Sequence, residues 1–372
     1  MNILCLISYQ FLPARFGGQK GIGLFYRYFS RRVNMVCVTV KSNDPKLAEG
    51  YPLLNVLSNH PFRYINLFYY FRIKKIIKER HITHLLLEHP YYGWLAILIK
   101  KFTGVKLVIR SHNIEGTRWK TLGKWWWKIL WRYERMVHRA ADHSFFVQRD
   151  EMNYAIQHFG LSPEKCTVAT FGIELSEAPS ATEKAAAKKT IQQQHGIPGD
   201  HKILLYNGAF NYYPNLEGLY KIINTINPIL QQQPIPYTII ICGGNIPDEV
   251  KKQPAPNVII AGFVDDISVY FKGADVFLNP IIEGGGIKTK VIEAIGYSTS
   301  VVSTQSGANG METAVCGEKL VVKADTDWQG FASAVMEAAN STTVTPAAYY
   351  QHYYFGNIIN NVATVLESEN QS

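Results

Sequence analysis

The chain has 372 residues, 47% of them hydrophobic, and a formal net charge of +9. That is enough sequence for two α/β domains with separate cores, since single cores stop growing at roughly 250 residues. No apolar run reaches the roughly 18 residues of a spanning helix, because "WLAILIKKF" is stopped by Lys100 and Lys101; five scattered cysteines with no CxxC pair argue for a reducing cytosol and against a structural zinc.

"MNILCLISYQFLPARFGG" lacks a basic leader and breaks at Pro13 and a glycine pair, so it is expected to be a first buried strand rather than a signal peptide. Short apolar runs then alternate with longer amphipathic segments. "NILCLIS", "MVCVTV", "THLLLEH", "KLVIRSHN" and "HSFFVQ" form one set, and "KILLYNG", "YTIIICGG", "VIIAGFV", "VFLNP" and "SVVST" a second. Continuous apolar strands separated by helices predict parallel sheets covered on both faces. Between the sets lies the polar "ELSEAPSATEKAAAKKTIQQQHGIPGD", expected to be a linker and a surface helix. The domains predicted are therefore 1–178, 179–345 and a closing helix within 346–372, spaced helically at Phe355, Ile358, Ile359, Val362 and Leu366.

Charge follows the same division. Residues 1–178 hold 26 Lys and Arg against 12 Asp and Glu, and residues 179–372 hold 12 against 17. A basic first half implies an anionic partner, nucleic acid or lipid surface.

The most informative stretch is "LNPIIEGGGIKTKVIEAIG". It predicts a strand ending at Pro280, a loop of Gly284, Gly285 and Gly286, and a helix from about Ile287 capped by Gly296. Lysines in the first turn of a helix oppose its dipole unless an anion is present, so Lys288 and Lys290 point to a phosphate. Glycines allow the backbone to approach it. The spacing fits neither the P-loop nor the dinucleotide fingerprint, where Thr289 would have to be glycine. Glu293, three residues after Lys290, could accept hydrogen bonds from ribose hydroxyls. Phosphate followed by sugar describes a nucleoside diphosphate. His112, in "VIRSHNIEG", stands just past a strand, where open parallel sheets place ligands, and Gly17 and Gly18 follow the first strand similarly. Asp265 and Asp266 are expected to start a helix rather than to hold a metal.

The order "GFVDDISVYFKGADVFLNPIIEGGGIKTKVIEAIGYSTSVVST" resembles the C-terminal half of family 4 glycosyltransferases of the GT-B fold, and "FGGQKGIG", "RSHNIEG" and "FGIE" extend the resemblance over most of the chain. It implies an α/β GT-B architecture, with two Rossmann-like parallel-sheet domains facing a central cleft, and retaining transfer without a metal or other cofactor. It further implies that His112 touches the donor sugar and that the backbone from Gly262 to Val264 lies near the base. The donor-binding set expected is Gly17, Gly18, Gly208, Gly243, Gly262, Val264, Glu283, Gly284, Gly285, Gly286 and Glu293, with Lys288, Lys290 and His112 catalytic.

Two departures stand out. The family's first carboxylate, eight residues before Glu293, falls on Gly285, with Glu283 two residues early. Where the family has an Arg and a Lys after the first strand of its second domain, this chain has Asn207, Asn211 and Asn215, so Lys288 and Lys290 are expected to replace the missing cations.

In "RWKTLGKWWWKILWRYERMVHR", Lys120, Lys124, Lys128 and Arg132 recur every fourth residue, followed by Arg135 and Arg139, beside Trp119, Trp125, Trp126, Trp127 and Trp131. "PFRYINLFYYFRIKKIIKER" repeats the mixture. Tryptophan with Lys and Arg suits a membrane-surface helix on anionic lipid, and no nucleic-acid module is present. The function expected is sugar transfer from a sugar nucleotide to a lipid-linked glycan acceptor in cell-surface polysaccharide synthesis, at the cytoplasmic face of the membrane. A sugar-nucleotide 2-epimerase of the same fold and a non-catalytic nucleotide-sugar-binding assembly protein remain as alternatives.

Overall fold

All ten apolar runs expected to be strands form strands in the computed structural model, which describes residues 1–14, 17–252, 255 and 257–368. The first sheet comprises β1 (Asn2–Ile7), β2 (Asn34–Val40), β3 (Leu53–Leu57), β4 (His84–Glu88), β5 (Lys106–Ser111), β6 (His143–Phe146) and β7 (Cys166–Val168). Its order is β3-β2-β1-β4-β5-β6-β7. The second comprises β8 (Lys202–Asn207), β9 (Tyr237–Cys242), β10 (Val258–Gly262), β11 (Val276–Asn279), β12 (Ser300–Thr304) and β13 (Leu320–Lys323), ordered β10-β9-β8-β11-β12-β13. Every named pairing is parallel.

The strands absent from the expectation are β3, β7 and β13. Each is a sheet edge and only partly buried, so it lacks the continuous apolar run of a central strand. In both sheets the order reverses once, between β1 and β4 and between β8 and β11, in register Ile7↔Glu88 and Val276↔Leu204. Crossovers leave in opposite directions there, opening a crevice beyond the carboxyl ends of those strands.

The chain divides into two compact units, Met1–Gly172 with the helix Phe355–Ser368, and Ile173–Tyr354. The segment expected to be one closing helix is two. Ala347–Tyr353 buries Tyr349, Tyr350 and Tyr353 in the second unit, where the Tyr349 and Tyr350 hydroxyls donate to Ile292 O and Gly296 O, both at 2.7 Å. Tyr354 is extended, and Phe355–Ser368 returns to the first unit. There Phe355, Ile358, Ile359, Val362 and Leu366, the five positions picked out by helical spacing, join a core with Cys5, Phe25 and Phe29. Burying each side chain contributes about 2 kcal/mol.

The surface helix expected in the polar segment is Ala181–His195, opened by a capping box of Ser180 and Glu183. It is more than a surface element. Gly273, on the helix Ile267–Gly273, lies so close that a Cβ would sit 2.8 Å from the Ala187 backbone. Lys188 meets Asp275 at 2.7 Å, and the other role of that carboxylate is to accept the Ile203 amide at the start of β8, also at 2.7 Å. Asp275 thus ties helix to strand. Asp266 caps Ile267–Gly273 by accepting from the Ser268 amide, as expected of that pair.

Candidate functional site

In the second unit the sequence-predicted residues gather at the carboxyl ends of β8 to β11. The Gly208 amide donates to Cys242 O at 3.0 Å and the Gly243 amide to Gly262 O at 2.6 Å, which brings three strand ends together through backbone alone. At Gly243, with φ of +140°, a Cβ would lie 1.8 Å from Gly208 O, so no side chain fits. Val264 lies half-buried just beyond β10, and the first part of "FGGQKGIG", Phe16, lies outside the described residues.

After β11 the loop runs to the helix Thr289–Gly296. That helix starts two residues later than expected, which makes Lys288 its N-cap and puts Lys290 in its first turn. Gly296 is also not the left-handed cap: it lies under the Ile173 side chain, whose terminal methyl would be 2.5 Å from a Cβ there, and Ser298 takes the positive φ instead. The Lys288 side chain makes no capping hydrogen bond, and the helix has no acidic residue in its first turn.

Lys290 Nζ reaches back to β8. It donates to Asn207 O at 3.2 Å and Asn215 Oδ1 at 3.0 Å and sits 4.7 Å from the centre of the Tyr206 ring. Asn207 and Asn215 are two of the three asparagines standing where the family has cations, so an ammonium does occupy that place, supplied from another segment. Lys288 Nζ folds over its own loop, donating to Gly284 O at 2.8 Å and Gly286 O at 2.9 Å. Neither lysine has a carboxylate partner among the described residues. Burial pushes Lys288 down to about 8; burial, then the charge of Lys288, pushes Lys290 down to about 7. Two partly buried lysines thus stand together without a carboxylate among the described residues.

Gly284 and Gly286 have positive φ, and a Cβ on Gly284 would crowd Tyr212 and Pro214; around Gly285 there is open space. Glu283 is exposed at the start of the loop, and Glu293 is half-buried one turn beyond Lys290. Asn207 Oδ1 and Asn279 Oδ1, at the ends of the two switch-point strands, are buried without a hydrogen-bond partner among the described residues. Asn279 escaped the sequence reading, although an asparagine closing an apolar strand before proline is a visible signal.

In the first unit, His112 belongs to a buried cluster at the ends of β4 and β5. Arg110 Nη1 donates to Glu88 Oε1 at 2.6 Å and lies 2.9 Å from His112 Nε2, which also meets Glu88 Oε1; the Tyr26 hydroxyl donates to Glu88 Oε2. Burial alone would raise the Glu88 carboxyl, but Arg110, His112 and Tyr26 hold it well below the usual range. The guanidinium sits 4.0 Å from the centre of the Phe25 ring. His89, with φ of +67°, packs its ring against His112, tilted by 38° with the centroids 4.4 Å apart, and lies 3.5 Å from Glu115. Phe171 of "FGIE" presents its ring to His112 at 5.2 Å and packs over Gly21. Gly17 and Gly18 open the helix Gly17–Phe29, both exposed. Three separated motifs thus meet in this unit.

The loop after His112 is anchored by a residue that sequence reasoning missed. Glu134 accepts the Glu115 and Gly116 amides at 3.0 Å each, and burial pushes its carboxyl up to about 8. It lies hidden within the basic tryptophan segment. That segment's cations Lys120, Lys124, Lys128, Arg132 and Arg139 are exposed. Of its five tryptophans only Trp125 is, at 83%; Trp119 packs on Trp126, and Trp131 on Phe159. The larger exposed apolar group is Phe62, Ile65, Leu67, Phe68 and Phe71, each at least 64% exposed. No helix among the described residues is long and apolar enough to cross a membrane.

Residues 17–177 match the family model "Glycosyltransferase Family 4", and residues 201–341 match "Glycosyl transferases group 1". The "Uncharacterized 44.6 kDa protein in cps region" of Klebsiella pneumoniae is 30% identical over 269 residues, 68% of this chain and 65% of that protein. Chitobiosyldiphosphodolichol beta-mannosyltransferase of Debaryomyces hansenii is 23% identical over 291 residues, 69% of this chain and 60% of the enzyme. The chain therefore spans somewhat less than two thirds of either relative. Anabaena Alr3699/HepE, solved in complex with UDP, shares the fold with a TM-score of 0.75 at 15% identity, covering 99% of this chain and 100% of that one. With two parallel-sheet Rossmann-like units, one family model on each and the glycine loop in its expected place, the chain belongs to the family 4-like glycosyltransferases of the GT-B fold.

Proposed function

We propose that this chain transfers a glycosyl group from a nucleoside-diphosphate sugar to a lipid-linked glycan acceptor, with retention of configuration and without a metal, in the synthesis of a cell-surface polysaccharide. The observation that carries the reading is the pair Lys288 and Lys290, buried enough to be pushed toward neutrality yet without a carboxylate partner. A diphosphate supplies the missing anion. The chain's role in the chemistry is electrostatic: as the bond from the sugar to the diphosphate breaks, its electron pair passes to phosphate oxygen, where Lys290 and the helix N-terminus stabilise it. Lys288 closes the glycine loop and adds positive charge, and Glu293 meets the ribose. His112 contacts the donor sugar. Gly208, Gly243, Gly262 and Val264 flank the base.

UDP in the similar Alr3699/HepE structure supports a sugar-nucleotide donor. The Klebsiella relative's place in a cps region and the Debaryomyces enzyme's dolichol-linked acceptor support the acceptor class. The exposed cations at 120–139, with Trp125, Leu122 and Ile129 between them, and the apolar group at 62–71 favour peripheral contact with the inner face of an anionic membrane.

The test is incubation of the purified protein with a panel of sugar nucleotides and membrane lipid extract. Transfer to lipid is expected. An isomerised donor would replace this reading by an epimerase, and no turnover of any donor by a binding protein. Nucleotide binding that survives Lys288→Ala with Lys290→Ala would remove the phosphate site.

A further inference from the structure

We propose that Glu88 is a positioning residue that fixes His112 as its Nε2–H tautomer, leaving Nδ1 as the hydrogen-bond acceptor for a hydroxyl of the bound sugar. The sugar contact rests on the reading of His112 above; the tautomer does not.

The argument is one of donors and acceptors. Arg110 only donates, and an ionised Glu88 only accepts. His112 Nε2 touches both. A bare Nε2 could accept from Arg110 Nη1 but would then press its lone pair on the carboxylate, which is the nearer neighbour; Arg110 Nη1 already donates to Oε1 at 2.6 Å, so Nε2–H, donating to the same oxygen, satisfies the closer contact. Glu88 cannot turn away, because Arg110 Nη1 holds Oε1 and the Tyr26 hydroxyl holds Oε2. A neutral imidazole carries one proton, so Nδ1 is bare. Among the described residues Nδ1 has no hydrogen-bond partner.

Position agrees with chemistry. His112 retains 8% of its surface, while Glu88 retains 1% and Arg110 none, so the histidine is the member of the trio that reaches outward. Its ring is held by His89 on one side and by Phe171, nearly perpendicular to it. Among the described residues, the charged and titratable groups around the trio are Cys5, Tyr9, Tyr26, Cys37, His89, Glu115 and Arg118. Burial, the largest influence, lowers the His112 pKa against the opposing pull of Glu88, so the ring is neutral in ordinary buffers. A buried ion pair serving only to hold β4 to β5 would be indifferent to which ring nitrogen carries the proton. Here the network specifies one.

The experiment is multiple-bond ¹H–¹⁵N correlation NMR of the full chain labelled at histidine, with His112 assigned by His112→Asn. The wild-type protein at pH 7.5 is expected to show a protonated Nε2 and a bare Nδ1. A protonated Nδ1, or a doubly protonated ring, overturns the proposal without any variant having to fold. In Glu88→Gln the carboxylate is lost and the ring should become a mixture of tautomers, with kcat falling about tenfold or more and KM for donor changing little. Tyr26→Phe, which keeps the carboxylate, should hold the wild-type tautomer. An unchanged tautomer in a folded Glu88→Gln protein also overturns it. If the wild-type tautomer is as stated but no sugar nucleotide shifts the Nδ1 resonance, the positioning stands and the sugar contact falls.

Discussion

Replacing Lys290 by methionine should stabilise the ligand-free protein while removing nucleotide binding. A lysine ordinarily titrates near 10.5, and burial brings this one down to about 7. Its folded pKa lies below its unfolded one, so between about pH 7 and 10.5 the unfolded chain binds the extra proton, and wild-type stability rises with pH across that window. At 1.36 kcal/mol per pH unit, holding Lys290 in place costs about 4 kcal/mol at pH 7. Methionine removes that cost but leaves Asn215 Oδ1 and Asn207 O without the ammonium, at about 1 kcal/mol each. The net gain is about 2 kcal/mol, or a few degrees in Tm. Thermal unfolding at pH 6 to 10 should show the advantage of the variant largest at and below pH 7 and shrinking as the wild-type lysine neutralises. Calorimetric titration with UDP, GDP and ADP should show the diphosphate that binds wild type losing at least about a hundredfold in affinity, the scale of a lost charge-assisted contact. A variant less stable than wild type at pH 7, or one that binds as tightly, would refute the account of Lys290 as an ammonium awaiting an anion.

Binding a diphosphate should restore protons to Lys288 and Lys290, so affinity should fall as pH rises from 7 to 9, and titrations in buffers of different ionisation enthalpy at pH 8 should show net proton uptake. Gly285→Ala should leave Tm unchanged, since nothing surrounds its Cβ, yet weaken nucleotide binding; Gly284→Ala, at φ of +91° beside Tyr212, should lose about 1–2 kcal/mol of stability by chemical denaturation. Gly243→Ala should fail to yield folded protein in a solubility and circular-dichroism assay, because its Cβ would overlap Gly208 O. Phe68→Ser with Phe71→Ser should reduce co-sedimentation with phosphatidylglycerol vesicles severalfold, and Lys124→Glu with Lys128→Glu should do so most strongly at low salt; indifference of both would remove the membrane contact.

The parts legible in the sequence were those written in continuous local pattern. Central strands such as β4 and β9 are apolar throughout because both faces are covered, and the glycine loop before Thr289–Gly296 shows its chemistry in consecutive letters. Edge strands were lost because half-exposed positions dilute the pattern, as in β3 and β13. The exposure of the tryptophans at 119–131 was not legible for a related reason: composition does not say which side of a helix a ring is on, and four of the five are half-buried while phenylalanines at 62–71 stay out. Glu134 was invisible because a carboxylate amid cations looks like a solvated partner, and only the fold brings it under the Glu115 and Gly116 amides.

Lys290 shows where local pattern and tertiary placement combine. Its spacing from the glycines locates it at a helix start, but its significance depends on Asn207 and Asn215, far earlier in the chain, whose oxygens receive the ammonium. An arginine at either asparagine would set a second cation against Lys290 in a site that already pushes the lysine toward neutrality. The asparagines and the lysine are therefore one choice rather than two. A chain that places its cation on the helix following β11 has to keep the end of β8 uncharged and rich in acceptors. The converse follows: restoring an arginine at Asn215 should be tolerated only when Lys290 is neutralised as well. Asn215→Arg alone should lower Tm, and Asn215→Arg with Lys290→Met should recover most of that loss. Additive effects in the double variant would mean that the two positions do not share one anion site.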